Sequence, residues 1–237
     1  MRYKNSLSYL LWGREALFSD PIMRVGGEKC SYPVPTYQAL KGITESIYWK
    51  PTLIWVVDRV RVMHPIRSQS KGMRPMKGSP DKNGLAFYTY LTDVAYQVEA
   101  HFVWNEAREE LAADRNEHKH FSIAKRMLER GGRRDIFLGT RECQGYVEPC
   151  VFGAGEGAYD DVDEVPLGMM FHGFDYADET GDDVMRTRFW RPKMQKGVID
   201  FCPPERCPVV RTVKSQKPTK FVPGVNLTLC EDEEGWI

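Results

Sequence analysis

The chain of 237 residues carries 33 basic and 33 acidic side chains, with 42% hydrophobic and 12% aromatic residues. This composition is typical of a folded globular protein and excludes an intrinsically disordered chain. The longest aliphatic and aromatic run, Leu53 to Val57, is far shorter than the roughly 20 residues that cross a bilayer, so we expect no membrane span. The apolar stretch near the amino terminus is too short for a signal peptide, and we therefore expect a cytoplasmic protein.

The charges are unevenly distributed along the sequence although their formal sum is zero. Residues 1–145 carry 23 basic and 16 acidic side chains, and residues 186–220 carry ten basic and two acidic ones. Between these segments, residues 148–183 carry eleven acidic side chains and no Lys or Arg. Because basic segments attract polyanions by neutralising phosphates, this pattern favours a nucleic-acid partner, with the acidic segment facing protein or solvent.

The first predicted elements are a strand and a helix. Residues 7–18 mix leucines and aromatics around Gly13, which predicts a strand with a kink or bulge at that glycine. After a loop, Thr36 is a candidate N-cap for a helix that Pro51 cannot continue. The apolar stripe of this helix consists of Leu40, Ile43 and Ile47.

Two further strands are predicted, separated by a basic connection. Residues 53–66 alternate β-branched residues with Arg59 and Arg61, which predicts a half-buried strand with a cationic exposed face. Residues 67–84 combine basic side chains with Gly, Pro and Ser, which predicts a long mobile hairpin connection. Residues 85–104 alternate again, which predicts a long strand with an aromatic and apolar face. The side chains predicted on the opposite face are Gln97, Glu99 and His101.

A second helix and a fourth strand complete the predicted unit. Apolar residues at helical spacing over 121–128 predict the helix, and Gly131-Gly132 supplies a left-handed stop. Residues 135–146 return to strand character. The order β-α-β-β-α-β predicts an α+β, ferredoxin-like (RRM-like) domain over residues 1–146, an architecture shared with many RNA-binding modules. Residues 147–237 are predicted to form a smaller, mainly antiparallel β domain with an extended tail.

The most reactive-looking stretch, residues 116–120, places two imidazoles and an ammonium at the entry to the second helix. A helix amino terminus can hold a phosphate against Lys119 and His120. His120 can shuttle a proton near neutral pH, and Lys119 can stabilise charge on phosphate oxygens as a ribose 2′-hydroxyl attacks. One alternative is that these are solvated loop residues. Another is that His118 and His120 ligate a metal, but no acidic or cysteine partner lies at a typical spacing from them.

The six cysteines contain no Cys-x-x-Cys pair. The spacing of Cys202 and Cys207 can serve zinc, but a four-ligand site needs a second pair, and Cys143 with Cys150 is a poor one. We therefore expect reduced thiols, no metal and no cofactor.

Other residues are candidates for contact with RNA. Arg59 and Arg61 can follow a nucleic-acid backbone or form a solvated face. The Gly139-Thr140-Arg141 turn can let backbone amides approach a phosphate, with Arg141 as the counter-charge. Tyr48, at the end of the first helix, can extend its hydroxyl to the domain edge or cap the core. The candidate RNA-binding residues are Arg59, Arg61, Arg67, Lys125, Arg126, Gly139 and Arg141.

Several motifs, taken in order, resemble the Cas-five subunit of subtype I-C CRISPR systems. The resemblance covers roughly residues 5–203 and leaves the tail from about Pro204 unmatched. The order of these motifs makes the resemblance specific. The motifs are Tyr32-Pro33-Val34-Pro35-Thr36, Ser46 to Pro51, Asn116-x-x-Lys119-His120, Leu138 to Glu142, Gly168 to Phe171, Asp175-Tyr176 and Lys196 to Ile199.

This resemblance implies a RAMP-superfamily endoribonuclease that cuts the repeat hairpins of precursor CRISPR RNA without a metal ion, leaving a 2′,3′-cyclic phosphate. It also implies that the protein stays on the 5′ handle of the mature CRISPR RNA within the type I-C Cascade complex. The implied partners there are the backbone and large subunits and, through the assembled complex, target DNA. Cas-five proteins of other subtypes imply the alternative of a non-catalytic cap and assembly subunit on the 5′ handle.

The active-site positions of that family fall on Tyr48, Lys119 and His120. By the roles that the resemblance implies, His120 transfers protons, Lys119 stabilises the transition-state phosphorane, and Tyr48 positions or helps activate the 2′-hydroxyl. His118 stands where the family often has glycine, so either imidazole can be the proton-transfer group. No metal belongs to this implied site.

Overall fold

A computed structural model describes residues 3–21, 23, 28–74 and 85–231. The helices are α1 (Tyr37–Ile47), α2 (Glu117–Glu129) and α3 (Ala177–Thr180), with 3-10 helices at Glu109–Asp114 and Pro204–Arg206. The strands are β1 (Leu7–Ala16), β2 (Lys29–Cys30), β3 (Leu53–Val62), β4 (Ser68–Met73), β5 (Ala86–Trp104), β6 (Ile136–Phe137), β7 (Gln144–Pro149), β8 (Val165–Pro166), β9 (Met170–Asp175), β10 (Val184–Trp190), β11 (Lys193–Met194), β12 (Val198–Asp200) and β13 (Val209–Ser215). Among the described residues, no helix is long and apolar enough to cross a membrane.

The largest sheet has the strand order β12-β3-β5-β1-β7-β6, and β2 and β4 also pair with β5. Within it, β3, β5, β1 and β7 pair antiparallel in that order, with α1 and α2 in the two crossover connections. The predicted α+β, ferredoxin-like fold is therefore confirmed. The later strands form a three-stranded sheet, β13-β10-β9, and a β11-β8 pair. Because β12 pairs with β3, the second half of the chain extends the first sheet, and the predicted division after residue 146 stays a prediction.

Both predicted helices begin and end where their local signals indicate. The side chains of Thr36 and Asn116 each accept a hydrogen bond of 3.1 Å from an amide in the first turn of their helix. After α2, Gly131 and Gly132 have φ angles of +84° and +109°, and their amides bond the last carbonyls of the helix. The Asn116 cap thus fixes the start of α2, from which Lys119 and His120 extend.

The predicted kink or bulge at Gly13 is wrong. β1 pairs with β5 in one unbroken antiparallel register, from Leu7 opposite Ala100 to Ala16 opposite Leu91. A Cβ at position 13 would instead meet a side-chain carbon of Leu138 at 2.5 Å. The glycine therefore serves close packing against the turn that precedes β7.

The long connection predicted over residues 67–84 is only partly present. Residues 68–73 form β4, which pairs antiparallel with the first part of β5. Residues 75–84 of the predicted connection lie outside the described part of the chain. The strand predicted over residues 135–146 is two strands, β6 and the start of β7, separated by a tight turn.

The face of β3 that was predicted to be cationic and exposed is largely covered. Arg61 is only 5% exposed, and its Nη2 lies 2.6 Å from Oδ2 of Asp160. Arg59 is half-buried, and its Nη2 lies 3.0 Å from a carboxylate oxygen of the buried Glu99 on β5. The prediction of an exposed cationic face is therefore wrong, because residues 150–160 cover this side of the sheet and part of the acidic segment neutralises it.

Gly139 lies in the turn between β6 and β7, where its φ is +94°. A Cβ there would lie 2.1 Å from the carbonyl oxygen of Leu17, a backbone atom that a side-chain rotation cannot move away. We predict that Gly139→Ala lowers the free energy of unfolding by about 3 kcal/mol or more, measured by urea denaturation. Gly153→Ala, at φ +89° but in open space, is the control and should cost only about 1 kcal/mol. Equal losses would contradict a steric role for the contact with Leu17.

A buried ammonium on α1 is shared by two carboxylates. Nζ of Lys41 lies 2.5 Å from Glu179 and 4.0 Å from Glu45. Burial raises the pKa of Glu45 from its ordinary 4.5 to about 7. The charge of Glu179 adds to this shift, and the charge of Lys41 opposes it. The folded state therefore keeps a proton that the unfolded chain releases, and the free energy of unfolding should fall as the pH rises from about 4.5 to 7.

Replacing this carboxylate tests the pH dependence. We predict that Glu45→Gln is more stable than the parent by about 2 kcal/mol at pH 8 and equally stable near pH 4.5, measured by urea denaturation at both pH values. Glu129→Gln, at an exposed position at the end of α2, is the matched control and should show no such pH dependence. A stability difference of the same size at both pH values would contradict the assignment.

Candidate active site

Tyr48 and His120 meet at the ends of the two main helices. Tyr48 follows the last residue of α1, where the backbone turns to an extended conformation (φ −157°, ψ 133°). His120 lies in the first turn of α2, and its amide bonds the carbonyl of Asn116. Because α1 and α2 contact each other on one side of the sheet, the Tyr48 hydroxyl lies 2.8 Å from Nδ1 of His120. The structure thus brings these two predicted site residues together.

The hydrogen bonds of His120 define its tautomer. Its Nε2 lies 2.7 Å from the backbone carbonyl oxygen of Asp114, which can only accept a hydrogen bond, so Nε2 carries the hydrogen. In the neutral imidazole, Nδ1 then holds the lone pair and accepts from the Tyr48 hydroxyl. Oδ2 of Asp114 lies 3.5 Å from the same Nε2 and favours the imidazolium if Nδ1 gains a proton. With both groups neutral, the Tyr48 hydroxyl therefore donates a hydrogen bond to Nδ1 of His120.

The hydrogen-bonded pair of Tyr48 and His120 is fully buried. The exposed fraction of both Tyr48 and His120 is 0%. The rings of Phe102 and Trp104 on β5 pack edge-on against the imidazole, with centroids 6.3 and 5.6 Å away. Exclusion of water strengthens electrostatic interactions at the pair. It also means that a substrate reaches these groups only when a covering segment moves.

Residues 219–231, here called the tail segment, cover the pair. The backbone amide of Cys230 donates to Oδ1 of Asp114 over 2.6 Å, and Cys230 is itself fully buried. Nζ of Lys50, next to the end of α1, donates to the carbonyl oxygen of Thr228 over 2.5 Å. The tail segment therefore bonds the residue that orients His120 and a cation beside Tyr48.

Lys119 is oriented toward the tail segment, whereas His118 faces solvent. Nζ of the half-buried Lys119 lies 3.4 Å from the carbonyl oxygen of Glu231. The exposed His118 has its Nδ1 3.4 Å from the hydroxyl of Ser122, one turn along α2. Of the two imidazoles left open by the sequence, the geometry thus favours His120 as the proton-transfer group.

Asp114, His120 and Cys230 also form a group of possible metal ligands. Each offers one ligand atom, and these atoms lie within 4.8 Å of one another. Both ring nitrogens of His120 are, however, already hydrogen-bonded within the protein. Burial, with the nearby charge of Asp114, raises the pKa of the Cys230 thiol to about 12 and keeps it protonated. The group therefore fits proton transfer better than metal binding.

The candidate RNA-binding residues differ in their surroundings. Arg61 is buried and paired with Asp160, and Arg59 is half-buried and paired with Glu99. The close approach of Gly139 to Leu17 explains that glycine without a ligand. The remaining candidates offer accessible positive charge. These exposed side chains are those of Arg67, Lys125, Arg126 and Arg141.

The sequence analysis did not identify three groups at the site. Asp114 lies in a 3-10 helix six residues before His120, and it contributes its backbone carbonyl, which no sequence pattern marks. Cys230 belongs to a tail that matches no motif. Lys50 lies within the Ser46 to Pro51 motif next to Trp49, and that motif was the one available signal for it.

Solved structures define the class of protein to which this fold belongs. A structure described as a CRISPR-associated protein has a TM-score of 0.75 and 37% sequence identity, covering 87% of this chain and 96% of its own. A functionally uncharacterized protein, SMU1763c from Streptococcus mutans, has a TM-score of 0.73 and 38% identity, covering 87% and 97%. The fold is that of a CRISPR-associated protein.

Sequence relatives define the family. A family model described as CRISPR-associated protein (Cas_Cas5) matches residues 6–202. A protein of Mannheimia succiniciproducens named CRISPR pre-crRNA endoribonuclease Cas5d is 31% identical over 237 residues, covering 84% of this chain and 96% of the relative. A protein of the same name from Thermus thermophilus is 34% identical over 154 residues, covering 60% and 63%. The chain belongs to the Cas5 family of CRISPR-associated proteins.

Proposed function

We propose that the chain is an endoribonuclease that cleaves the repeat hairpins of precursor CRISPR RNA without a metal ion and leaves a 2′,3′-cyclic phosphate. The names of the two sequence relatives support RNA cleavage. The observation that carries the proposal is the hydrogen bond of 2.8 Å between the Tyr48 hydroxyl and Nδ1 of His120, with Nε2 bonded to Asp114.

Formation of a cyclic phosphate requires the ribose 2′-hydroxyl to lose a proton while its oxygen attacks the adjacent phosphorus. We assign Tyr48 as the group that accepts this proton while it passes its own proton to Nδ1 of His120. The resulting imidazolium lies beside the Asp114 carboxylate. The ammonium of Lys119 offsets the charge that grows on the phosphorane oxygens. The departing 5′-oxygen takes a proton from water, and His120 returns its proton to solvent through Tyr48 after cleavage.

We further propose that the protein remains on the 5′ handle of the CRISPR RNA within the type I-C Cascade complex, beside its backbone and large subunits. Membership of the Cas5 family supports this assignment. In this proposal the exposed side chains of Arg67, Lys125, Arg126 and Arg141 contact the RNA backbone, and target DNA is met through the assembled complex.

Cleavage of the protein's own repeat RNA in EDTA tests the proposal. The purified full-length chain should cut each hairpin once. The 3′ end of the upstream product should not be labelled by reactions that need a free 3′-hydroxyl, and it should become reactive after the cyclic phosphate is opened and removed. Loss of cleavage in EDTA with recovery in Mg²⁺ would overturn metal independence. A product with a free 3′-hydroxyl would overturn the assigned mechanism.

The full burial of Tyr48 and His120 favours a second candidate, a non-catalytic cap on the 5′ handle. This function predicts tight binding of handle RNA with no cleavage. It also requires that no variant in the tail segment cuts the hairpin, even when the segment is released.

The hydroxyl of Tyr48 should matter for rate and not for binding. We predict that Tyr48→Phe slows single-turnover cleavage about 100-fold while the affinity for repeat RNA changes less than about twofold. Tyr146→Phe, which removes a hydroxyl from an exposed ring stacked on Trp12, is the matched control and should cut at the parental rate. Equal rates for Tyr48→Phe and the parent would remove Tyr48 from the proton path.

A further inference from the structure

A second cluster of ligand-type side chains lies in the carboxy-terminal half of the chain. His172 is on β9, Cys202 follows β12, and Cys207 follows the 3-10 helix Pro204–Arg206. One ring nitrogen of His172 and the two sulfurs lie within 4.8 Å of one another. His172 and Cys207 are buried, and Cys202 is half-buried.

The distance between the two sulfurs fits shared coordination. The Sγ atoms of Cys202 and Cys207 lie 3.7 Å apart. A disulfide bond would hold them about 2.05 Å apart. Two thiolates on one tetrahedral zinc lie about 3.8 Å apart, because each Zn–S bond is about 2.3 Å long. The separation of 3.7 Å, at which the two thiols are in hydrogen-bond contact, is too long for a disulfide and fits two ligands of one ion.

The environment of His172 resembles that of a ligand histidine. Its Nε2 lies 3.0 Å from the carbonyl oxygen of Cys202, so Nε2 carries the hydrogen and Nδ1 keeps the lone pair. That Nδ1 is buried and has no hydrogen-bond partner among the described residues. The ring stacks on Tyr37 at 4.2 Å and meets the edge of Trp190 at 5.4 Å, which fixes its plane. Metal-bound histidines usually donate their second ring N–H to such a carbonyl.

We propose that His172, Cys202 and Cys207 bind one Zn²⁺, with water as the fourth ligand on the open side of Cys202. The buried guanidinium of Arg188 lies near this cluster, but it is paired with Asp175 and its charge is thereby offset. The ion would join β9 of the small sheet to the segment that follows β12 of the large sheet. The sequence analysis identified only Cys202 and Cys207 as possible ligands. His172 lies 30 residues before Cys202, which is too far for a recognisable ligand spacing.

Metal analysis of the full-length chain tests this site independently of RNA cleavage. Protein produced with zinc and then dialysed should hold about one zinc per chain, and a strong chelator should lower its melting temperature. Cys207→Ser should lose the metal and the response to chelator, whereas Cys30→Ser, at a half-buried thiol outside the cluster, should keep both. If Cys207→Ser fails to melt cooperatively, Cys202→Ser is assessed in its place.

Three outcomes would overturn the zinc site. The first is absence of zinc in the parent chain, and the second is zinc retained by the serine variant at the level of the parent. The third is a mass of the parent chain two hydrogens below that of its reduced form, which a reductant restores. The last outcome would show that the two cysteines form a disulfide. Cobalt bound in place of zinc, with strong thiolate-to-metal absorption lost in the serine variant, would support the assignment.

A separate observation concerns the tail segment over the candidate active site. Its first part is anchored by Thr219, whose amide donates to Asp178 over 2.6 Å, and by Phe221, whose ring meets Trp49 edge-on with centroids 6.2 Å apart. The guanidinium of Arg108 also lies over the Phe221 ring, at 5.2 Å. The segment is thus docked at its start as well as at the buried Cys230.

The tail segment bonds the groups that an RNA phosphate would need. The ammonium groups of Lys50 and Lys119 each donate to one of its carbonyl oxygens. Carbonyl oxygens accept hydrogen bonds as phosphate oxygens do, but they carry no net charge. From Glu231 to Glu234 the sequence contributes four consecutive acidic residues. The end of the chain therefore carries the same sign of charge as RNA.

We infer that the tail segment is an autoinhibitory element that RNA displaces from the active site. This inference rests on the proposed function, because it assigns the covered groups to RNA cleavage. Phosphates should replace the carbonyl oxygens at Lys50 and Lys119, while the bond from Cys230 to Asp114 breaks. The apparent affinity for RNA is then lowered in proportion to the fraction of chains with the site open.

Cys230→Pro removes the amide hydrogen that bonds Asp114 and should release the segment. We expect about a tenfold gain in affinity for repeat RNA, measured in a protein that also carries His120→Ala so that the RNA stays intact. Cys230→Pro alone should show a similar gain in cleavage rate at low RNA concentration. A synthetic peptide of residues 219–237 should reverse the gain. Val225→Ala, at an exposed position of the same segment, is the control and should change neither quantity.

The outcomes separate the tail segment from the catalytic assignment. Cleavage by the parent with no gain in Cys230→Pro would overturn autoinhibition and leave the nuclease intact. A gain in affinity without any cleavage would support the covering role and overturn the nuclease. Loss of cleavage in a variant that melts normally would show that the segment belongs to the working site, which also overturns autoinhibition. If Cys230→Pro does not fold, truncation after Lys217 is assessed by the same criteria.

Discussion

Replacing His120 by alanine is expected to lower the single-turnover rate of hairpin cleavage by about 10³-fold or more. The reason is the bond pattern of its ring. Nε2 is held by the Asp114 carbonyl and Nδ1 receives the hydrogen bond of Tyr48, so the imidazole is positioned to accept the proton that Tyr48 gives up. Without that acceptor, Tyr48 would keep its own proton while it takes the proton of the 2′-hydroxyl, and a phenol is too weak a base to hold both. Affinity for repeat RNA should change little.

Two further variants separate the role in catalysis from a role in folding. His120→Gln keeps a donor that can reach the Asp114 carbonyl but offers no comparable base, so it should melt like the parent and still fail to cut. His118→Ala removes the neighbouring exposed imidazole and should cut at nearly the parental rate. A slow His118→Ala together with an active His120→Gln would assign the proton transfer to His118.

The helices, the long strands and their order could be predicted because each depends on local signals. Thr36 and Asn116 cap helices through bonds that reach only three residues ahead. The glycine pair after α2 ends that helix by its own backbone conformation. The alternation of β5 extends over its 19 residues and defines one long strand. From these elements, the order β-α-β-β-α-β led to the correct fold class.

The parts that could not be predicted depend on contacts between distant segments. Alternation along β3 predicted that one of its faces is exposed. This was wrong because the pattern within a strand does not indicate whether a later part of the chain covers that face. Asp160 lies 99 residues after Arg61, and Cys230 lies 116 residues after Asp114. The same limit applies to the site itself. The local sequence identified His120, but the burial of its ring under the tail segment depends on residues that match no motif.

Arg61 shows how strongly such a contact should affect stability. Its guanidinium is almost fully buried under residues 150–160 and makes five hydrogen bonds, four to those residues and one to Gln97 on β5. The acceptors are two oxygens of Asp160, the side chain of Gln97 and the carbonyl oxygens of Ala154 and Gly155. Replacing Arg61 by methionine keeps the aliphatic stem but removes these five bonds. The Ala154 carbonyl, the Gln97 amide oxygen and Oδ2 of Asp160 each keep one other donor. We expect the free energy of unfolding to fall by about 2–3 kcal/mol, because a buried charged donor is lost while the partly exposed Asp160 becomes solvated.

Arg67→Met removes an exposed charge a few residues further along and is the matched comparison. Its free energy of unfolding should stay within about 0.5 kcal/mol of the parent, while its affinity for repeat RNA should fall and become less dependent on salt. Arg61→Met, assayed at a temperature where it remains folded, should show the reverse, with lower stability and an unchanged salt dependence of RNA binding. Urea denaturation and a salt titration of RNA affinity measure the two effects separately. A weaker salt dependence in Arg61→Met than in the parent would mean that RNA reaches this guanidinium and displaces Asp160 from it.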